Sequence, residues 1–336
     1  MDAFTVVGTG GIGCAVGYAL RTAGLPVTFV DADPAKVAWG RQHGVTVDRR
    51  PALPADFISF EDWSPAASDV VLLCTKCYDN AAVLARLPDS ATVLPIQNGF
   101  DPALDARGHA AEGIASFVSE CRPGQSHTRI TRRGKLHLGL RGDRPEPRLR
   151  CWAEALRTAG LFTVEVVDDV RPYKHTKLMY NAAISPLAAA AGLDNGQLLS
   201  VPLSRRLFFA LLRENYAVLS GAGVALGTIG PFAPATVARI LSRPWLAHGL
   251  AWAFYPSLRG SYCSMSGDLP RGRTEMDNYN GHLIRLAGDR PCPLNRAVFD
   301  LVSRMTRDRE QPRVEVLQEL IGIDSSAVIR DARRAG

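Results

Sequence analysis

The chain has 336 residues, 46% hydrophobic and 21% charged, with 39 basic against 33 acidic side chains for a net charge of +6. That length exceeds the size at which one core keeps growing, so two domains are expected, and the composition is that of a soluble globular protein rather than a disordered or fibrous one. The positive charge is spread along the chain apart from small clusters such as Arg129, Arg132 and Arg133; without a basic stripe interleaved with aromatics it favours small anionic ligands and excludes a nucleic-acid module.

The first predicted element is the apolar strand Phe4-Thr5-Val6-Val7, followed by the turn Gly8-Thr9-Gly10-Gly11-Ile12-Gly13 and a helical stretch ending near Gly24. A second apolar run, Val27 to Val30, ends in Asp31, about 20 residues beyond the turn, which completes a strand, glycine turn, helix, strand, acid unit. Each part has a reason. Gly8 allows a tight turn, Gly10 lets backbone approach a pyrophosphate and Gly13 lets helix and strand pack closely, while the helix N-terminus offers free N–H groups. Asp31 would accept hydrogen bonds from an adenosine ribose. A glycine-rich loop without a ligand is the bland alternative; the surrounding pattern favours a dinucleotide site built from Gly8, Thr9, Gly10, Gly11, Ile12, Gly13 and Asp31.

After Asp31 a helix is predicted from Pro34 to about His43, then a short strand at 45–47, a proline-bearing connection at 51–54, and a fully buried strand from Asp69 to Cys74. A helix fits Asn80 to Leu87 and a strand Thr92 to Leu94; residues 113–140 read as strand-rich, 147–159 as helix and 162–166 as strand. This alternation predicts an α/β fold, an N-terminal Rossmann doubly wound parallel sheet, over residues 1–168. From 169 to 325 apolar residues recur at helical spacing, as in Leu207, Leu211 and Val218 and in Met276, Tyr279, Leu283 and Leu286, so a C-terminal all-helical domain follows, with a basic tail at 326–336. The stretch Trp245 to Leu258 suits either a core or an interface, and a homodimer is possible.

Seven irregularly spaced cysteines read as reduced, scattered thiols; the Cys74–Cys77 pair has no second pair to complete a zinc site and is assigned to packing, so no metal is expected. The N-terminus lacks the regions of a signal peptide and no apolar stretch is long enough to span a bilayer, so no membrane partner and a cytoplasmic location are expected.

Ligands of open parallel sheets sit beyond the carboxyl ends of the strands. The segments Thr75-Lys76-Cys77-Tyr78 and Gln97-Asn98-Gly99 leave two such ends. In the second half, Lys177, Asn181 and Ser185 follow one another at spacings of four and share a helical stripe; Glu275, Asn278 and His282 are predicted along one flank of a helix over 273–282. From spacing alone, solvated side chains or interface pairs are the commoner explanation of either set.

The glycine turn, Thr75-Lys76-Cys77-Tyr78, Gln97-Asn98-Gly99, Lys177-Leu178-Met179-Tyr180-Asn181, Asn195-Gly196-Gln197-Leu198, Ser264-Met265 with Asp268, and Thr274-Glu275-Met276-Asp277 with Asn280-Gly281 together resemble the ordered motifs of ketopantoate reductases, over nearly the whole chain. The resemblance implies a Rossmann domain, a helical domain, and reduction of 2-dehydropantoate to pantoate, a step of pantothenate biosynthesis, with NADPH. It matches Lys177 to the catalytic lysine and Glu275 to a substrate-positioning carboxylate. Asn98, Asn181, Asn195 and Ser264 match polar groups that hold nicotinamide or substrate, and Lys76 a lysine near both. Ser185 stands where the family shows a second asparagine, and the loop from Asp268 to Glu275 is one residue short. These departures leave room for a related reductase of another keto acid. Asp31 is a third departure: a carboxylate repels the 2′-phosphate of NADPH and suits NADH, with Lys36 and Arg41 the nearby cations that would offset it. An opine-forming or hydroxyacid dehydrogenase, and a cofactor-binding regulatory protein without turnover, are the alternatives.

Overall fold

The computed structural model describes residues 2–323, and the chain divides into two compact units at the junction of Arg171 and Pro172. The basic tail at 326–336 lies outside the described residues.

In the first unit β1 (Phe4–Val7), α1 (Gly11–Thr22), β2 (Val27–Asp31), α2 (Pro34–His43), the short β3 (Thr46–Val47), β4 (Asp56–Ser59), β5 (Val70–Leu73), α3 (Asn80–Leu84) and β6 (Thr92–Pro95) follow in order. A five-stranded sheet of order β4-β2-β1-β5-β6 results, every pairing in it parallel. Alternation along the strands splits the core in two. Phe4, Val6, Phe29, Val70, Leu72 and Leu94 pack with α1 on one face, and Val7, Val30, Val71, Leu73 and Val93 with Trp63, Val83 and Leu104 on the other. Burial on both faces is why these strands read as continuous apolar runs.

The next stretch holds α4 (Pro102–Arg107), β7 (Ala111–Ala115), β8 (Val118–Cys121), β9 (His127–Arg132), β10 (Lys135–Leu140), α5 (Leu149–Arg157) and β11 (Thr163–Asp169). The strands expected at 113–140 are present, but instead of prolonging the parallel sheet they form two mixed three-stranded sheets, β11-β10-β7 and β3-β9-β8, in which β7 with β10 and β8 with β9 are antiparallel and β10 with β11 and β3 with β9 parallel. The connection is the reason for the second antiparallel pair: residues 122–126, between β8 and β9, are far too few for the helical crossover that a parallel neighbour needs. The β8–β9 hairpin lies on α1, where Thr128 Oγ1 donates to the Gly11 carbonyl at 3.2 Å.

His137 of β10 is 1% exposed, 3.7 Å from Glu165, and burial pushes its pKa below the ordinary histidine value while Glu165 pulls the other way. The unfolded chain takes up that proton near pH 6.5 and the folded chain resists it, so the stability this residue contributes is complete above about pH 6.5 and declines as pH falls below it. We expect His137→Gln to make the acid-side decline in urea midpoint shallower; an unchanged slope would contradict the assignment.

The second unit is helical: α6 (Arg171–Ala191), α7 (Asn195–Ser200), α8 (Pro202–Gly221), α9 (Pro234–Leu241), α10 (Pro244–Leu258), α11 (Ser264–Asp268), α12 (Asn280–Ala287) and α13 (Pro293–Asp308). Four of them open on proline, whose missing N–H costs nothing in a first turn. In α10 Ala247 and Ala251 are buried while Trp245 and Trp252 are 72% and 83% exposed, so this stretch is core on one side only.

One proline breaks the pattern. Pro186 lies inside α6 and cannot donate to the Ala182 carbonyl one turn back, so that oxygen is taken by Asn280 Nδ2 of α12 at 3.0 Å. Asn280 Nδ2 also donates to Asn295 Oδ1, and Asn295 Nδ2 donates to Glu214 Oε1 and Asn215 Oδ1. Asn215 Nδ2 in turn donates to the Met179 carbonyl at 2.9 Å, and Glu214 accepts the backbone N–H groups of Leu294 and Asn295 at the start of α13. All four side chains are wholly buried and tie α6, α8, α12 and α13 together.

Candidate functional site

The glycine turn begins where β1 ends. Gly8 has φ +96, and a Cβ there would stand 2.8 Å from the Thr75 nitrogen, so neither the backbone nor the space allows a side chain. A Cβ on Gly13 would come within 2.0 Å of the Gly8 oxygen, which makes this glycine the condition for α1 to pass so close to β1. Gly10 is the opposite case. It is the N-cap of α1, makes no side-chain cap, has no acidic residue in the turn after it, and a Cβ there would meet nothing within 4 Å. A helix start with uncapped N–H groups beside an open cradle fits a pyrophosphate. Gly11 is closed off by Ser119 of β8, Thr9 is buried, and Ile12 packs against the core.

Asp31 ends β2 beside this turn, but its carboxylate is engaged. Oδ2 accepts from Thr9 N at 2.7 Å and Thr9 Oγ1 at 2.5 Å, and Oδ1 accepts from Asp33 N at 2.9 Å. Lys36 Nζ stands 3.7 Å from Oδ2 and donates to the Thr9 carbonyl at 3.3 Å. The acid therefore moulds the glycine turn, a role the sequence reading missed. Of the two cations expected nearby, Lys36 is beside Asp31, whereas Arg41 Nε donates to the Phe57 carbonyl of β4.

Lys76 and Asn98, both half-buried, sit on the loops leaving β5 and β6. Those loops are welded by a reciprocal amide pair: Asn80 Nδ2 donates to Gln97 Oε1 at 3.1 Å, and Gln97 Nε2 to Asn80 Oδ1 at 2.7 Å. Gln97 also donates to the Thr75 carbonyl, Asn80 to Asp101 Oδ2, and Cys77 Sγ to the Asn98 carbonyl. Asn80 is wholly buried, so it fixes the backbone from which Lys76 and Asn98 project. Burial pushes the Cys74 thiol far above its ordinary pKa, which suits a packing role.

In the second unit Lys177, Asn181 and Ser185 lie on α6 at the expected spacing; the first two are half-buried and Ser185 is 6% exposed. The Ser185 carbonyl accepts from Cys263 Sγ at 3.4 Å, and Asn195 N donates to the Ser261 carbonyl at 2.9 Å, which brings the starts of α7 and of the segment carrying Ser264 together with α6. Asn195 Oδ1 is buried without a hydrogen-bond partner. Ser264 itself is exposed.

The helix expected over 273–282 is not formed. Residues 276–279 make a turn in which the Gly281 N–H reaches back to the Met276 carbonyl at 2.9 Å, and α12 starts only at Asn280. Tyr279 departs from helical geometry with φ −106 and ψ −91. Consequently Glu275, Asn278 and His282 do not share one helical flank. Glu275 is 3% exposed, as buried as the apolar residues it was to oppose, and accepts from Tyr279 Oη at 3.3 Å. The Asn280 bond to Ala182 sets this turn near the Asn181 part of α6. Among the described residues no group of three or more His, Cys, Asp or Glu could hold a metal ion, and no helix is long and apolar enough to cross a membrane.

Residues 4–142 match the family model described as "Ketopantoate reductase PanE/ApbA", and residues 169–306 its C-terminal counterpart. A 2-dehydropantoate 2-reductase of Halobacterium salinarum is 25% identical, over 90% of this chain and 98% of its own. Among solved structures, a PanE/ApbA family ketopantoate reductase from Ralstonia eutropha is 26% identical with TM-score 0.73, over 92% of this chain and all of that one. D-mandelate dehydrogenase in complex with NADH, at 18% identity and TM-score 0.72 over the same shares, has a similar fold.

Proposed function

We infer the activity from one premise: the chain belongs to the ketopantoate reductase PanE/ApbA family. It is a nicotinamide-dependent oxidoreductase that reduces the ketone of a 2-oxo acid, 2-dehydropantoate, to the 2-hydroxy acid. The observation that carries this reading is the α6 stripe, one lysine followed at intervals of four by two neutral hydrogen-bonding groups. In a chain whose other unit offers an uncapped helix start beside an open glycine, that stripe suits an anionic keto acid.

The first unit is proposed as the dinucleotide-binding domain, with Gly8 to Gly13 and the α1 N-terminus holding the pyrophosphate and Lys76 and Asn98 the nicotinamide end. When bound, the nicotinamide supplies the hydride. The second unit supplies the acid. Reduction leaves negative charge on the former carbonyl oxygen, and the Lys177 ammonium stabilises that charge and gives the oxygen its proton. Glu275, braced by Tyr279, orients the substrate hydroxyl or the lysine. Asn181, Ser185, Asn195 and Ser264 hold the remainder without adding charge, Asn195 through its spare Oδ1.

Asp31 favours NADH, because its carboxylate opposes a 2′-phosphate; Lys36 offsets that charge in part. A second reading rests on Ser185, which is shorter than the asparagine it replaces and so leaves space for a different keto acid. The exposed Trp245 and Trp252 are the proposed homodimer contact. Steady-state oxidation of NADH and NADPH against 2-dehydropantoate and a panel of 2-oxo acids, with and without amines, tests these readings together. We expect the highest kcat/KM with NADH and 2-dehydropantoate. A higher value with NADPH would overturn the reading of Asp31, a better keto acid would favour the second reading, and turnover requiring an amine would make the chain an opine dehydrogenase.

A further inference from the structure

Two cysteines far apart in the sequence meet beneath the glycine turn. Cys14, in the first turns of α1, and Cys121, the last residue of β8, both bring Sγ to 3.4 Å from the Thr9 carbonyl oxygen, and Cys121 Sγ also lies 3.0 Å from the Gln125 carbonyl oxygen. Lys36 Nζ converges on the Thr9 oxygen at 3.3 Å. Cys14 is wholly buried and Cys121 is partly open to solvent. The two thiols also hydrogen-bond to each other, and the chain on either side is in contact: a Cβ on Gly11, three residues before Cys14, would stand 2.6 Å from the carbonyl oxygen of Ser119, two residues before Cys121.

The asymmetry of the pair assigns the parts. A hydrogen bond from Cys14 holds the Cys121 thiol below its ordinary pKa, with the Lys36 charge acting the same way. The Cys14 thiol is pushed up by that hydrogen bond and by burial. Thiolate character and exposure both select Cys121 as the reactive sulfur.

We propose that Cys121 and Cys14 are an oxidisable dithiol, converted by hydrogen peroxide to a disulfide that weakens dinucleotide binding at the adjoining turn. The Cys121 thiolate attacks one peroxide oxygen, forming the S–O bond of a sulfenic acid as the O–O bond breaks; the hydroxide released takes up the proton that the Cys121 thiol gave up on ionising and leaves as water. The Cys14 sulfur then attacks the Cys121 sulfur; an S–S bond forms, the S–O bond breaks, and the hydroxyl departs as a second water with the Cys14 proton. Two electrons pass from the thiols to one peroxide. The product removes the thiol hydrogens that the Thr9 and Gln125 carbonyls face and fastens β8 to α1. Thr9 is also the residue that binds Asp31 through its N–H and hydroxyl, so the strain falls on the turn that receives the pyrophosphate. This inference rests on the dinucleotide reading of that turn.

The test uses the whole chain carrying Cys151→Ser, which removes the exposed thiol. After hydrogen peroxide, peptide mapping is expected to find Cys14 joined to Cys121, and NADH fluorescence titration a dissociation constant raised about tenfold, both reversed by dithiothreitol. With Cys121→Ser added, peroxide is expected to leave NADH binding unchanged; with Cys14→Ser, a sulfenic acid trappable by dimedone is expected to persist on Cys121. Both thiols found unmodified after peroxide, or a mapped cross-link with unaltered NADH affinity, would overturn the proposal. Reduced protein that binds neither NADH nor NADPH would overturn the dinucleotide reading instead, and the mapped cross-link would still decide the thiol pair.

Discussion

Lys177→Ala is expected to lower kcat by about 10²–10⁴-fold, the range that loss of a positioned general acid commands, while the NADH dissociation constant moves by no more than about twofold. The split follows from the fold. Lys177 belongs to α6 of the helical unit, whereas the glycine turn, Asp31 and the welded loops of Lys76 and Asn98 belong to the other unit. Lys177→Arg keeps the charge but has no proton to give near neutral pH, so it should recover substrate affinity more than turnover. Stopped-flow oxidation of NADH by 2-dehydropantoate reads both quantities. A Lys177→Ala enzyme with near-normal kcat would remove this residue from the chemistry and leave the α6 stripe as a binding surface only.

The second large effect is expected at Glu214, which touches no proposed ligand. Its carboxylate accepts from Leu294 N, Asn295 N and Asn295 Nδ2, all out of contact with water. Glu214→Ala strands two buried backbone N–H groups, leaves Asn295 Nδ2 with Asn215 Oδ1 alone and opens a cavity, and we expect a loss of about 3–5 kcal/mol from the helical unit, measured by urea unfolding. Glu214→Gln retains an acceptor and should lose less. Because Asn295 passes the constraint through Asn280 to the Ala182 carbonyl, the loss reaches the helix that bears Lys177 and Asn181. A change below about 0.5 kcal/mol for Glu214→Ala would show that water replaces the carboxylate and that α6 is held by apolar packing alone.

Much of this was legible in the sequence, for identifiable reasons. The glycine turn is a local device whose parts lie within one strand, one helix and the next strand, and strands buried on both faces leave an unbroken apolar signature, as Val70 to Leu73 does. The Lys177, Asn181, Ser185 stripe is legible because an uninterrupted helix converts a spacing of four directly into a shared face, a conversion that Pro186 does not spoil while Asn280 takes up the orphaned carbonyl.

What the sequence hid is long-range. That 113–140 enters two mixed sheets depends on which strands meet, and periodicity is silent on partners. The spacing of Met276, Tyr279 and Leu283 mimics a helix, although the first two are buried from a turn; Thr274 and Asp277, polar residues at home in turns, were the available signal. Asp31 reads as a ribose ligand from its place at the end of β2, and nothing local reveals that Thr9 already binds one of its oxygens. Asn80 looked like an ordinary helix start, yet its amide is half of the pair that fixes two loops.

The central claim is that this chain moves a hydride from a nicotinamide to the carbonyl carbon of a 2-oxo acid, with a proton from Lys177 completing the hydroxyl. Incubation with 2-dehydropantoate and cofactor carrying deuterium at the transferable C4 position, followed by mass spectrometry of the product, tests it most directly. The account predicts pantoate with one deuterium, bound to C2, formed by the native chain and only in traces by Lys177→Ala. Pantoate without deuterium, or deuterated pantoate formed equally fast by both proteins, would contradict it.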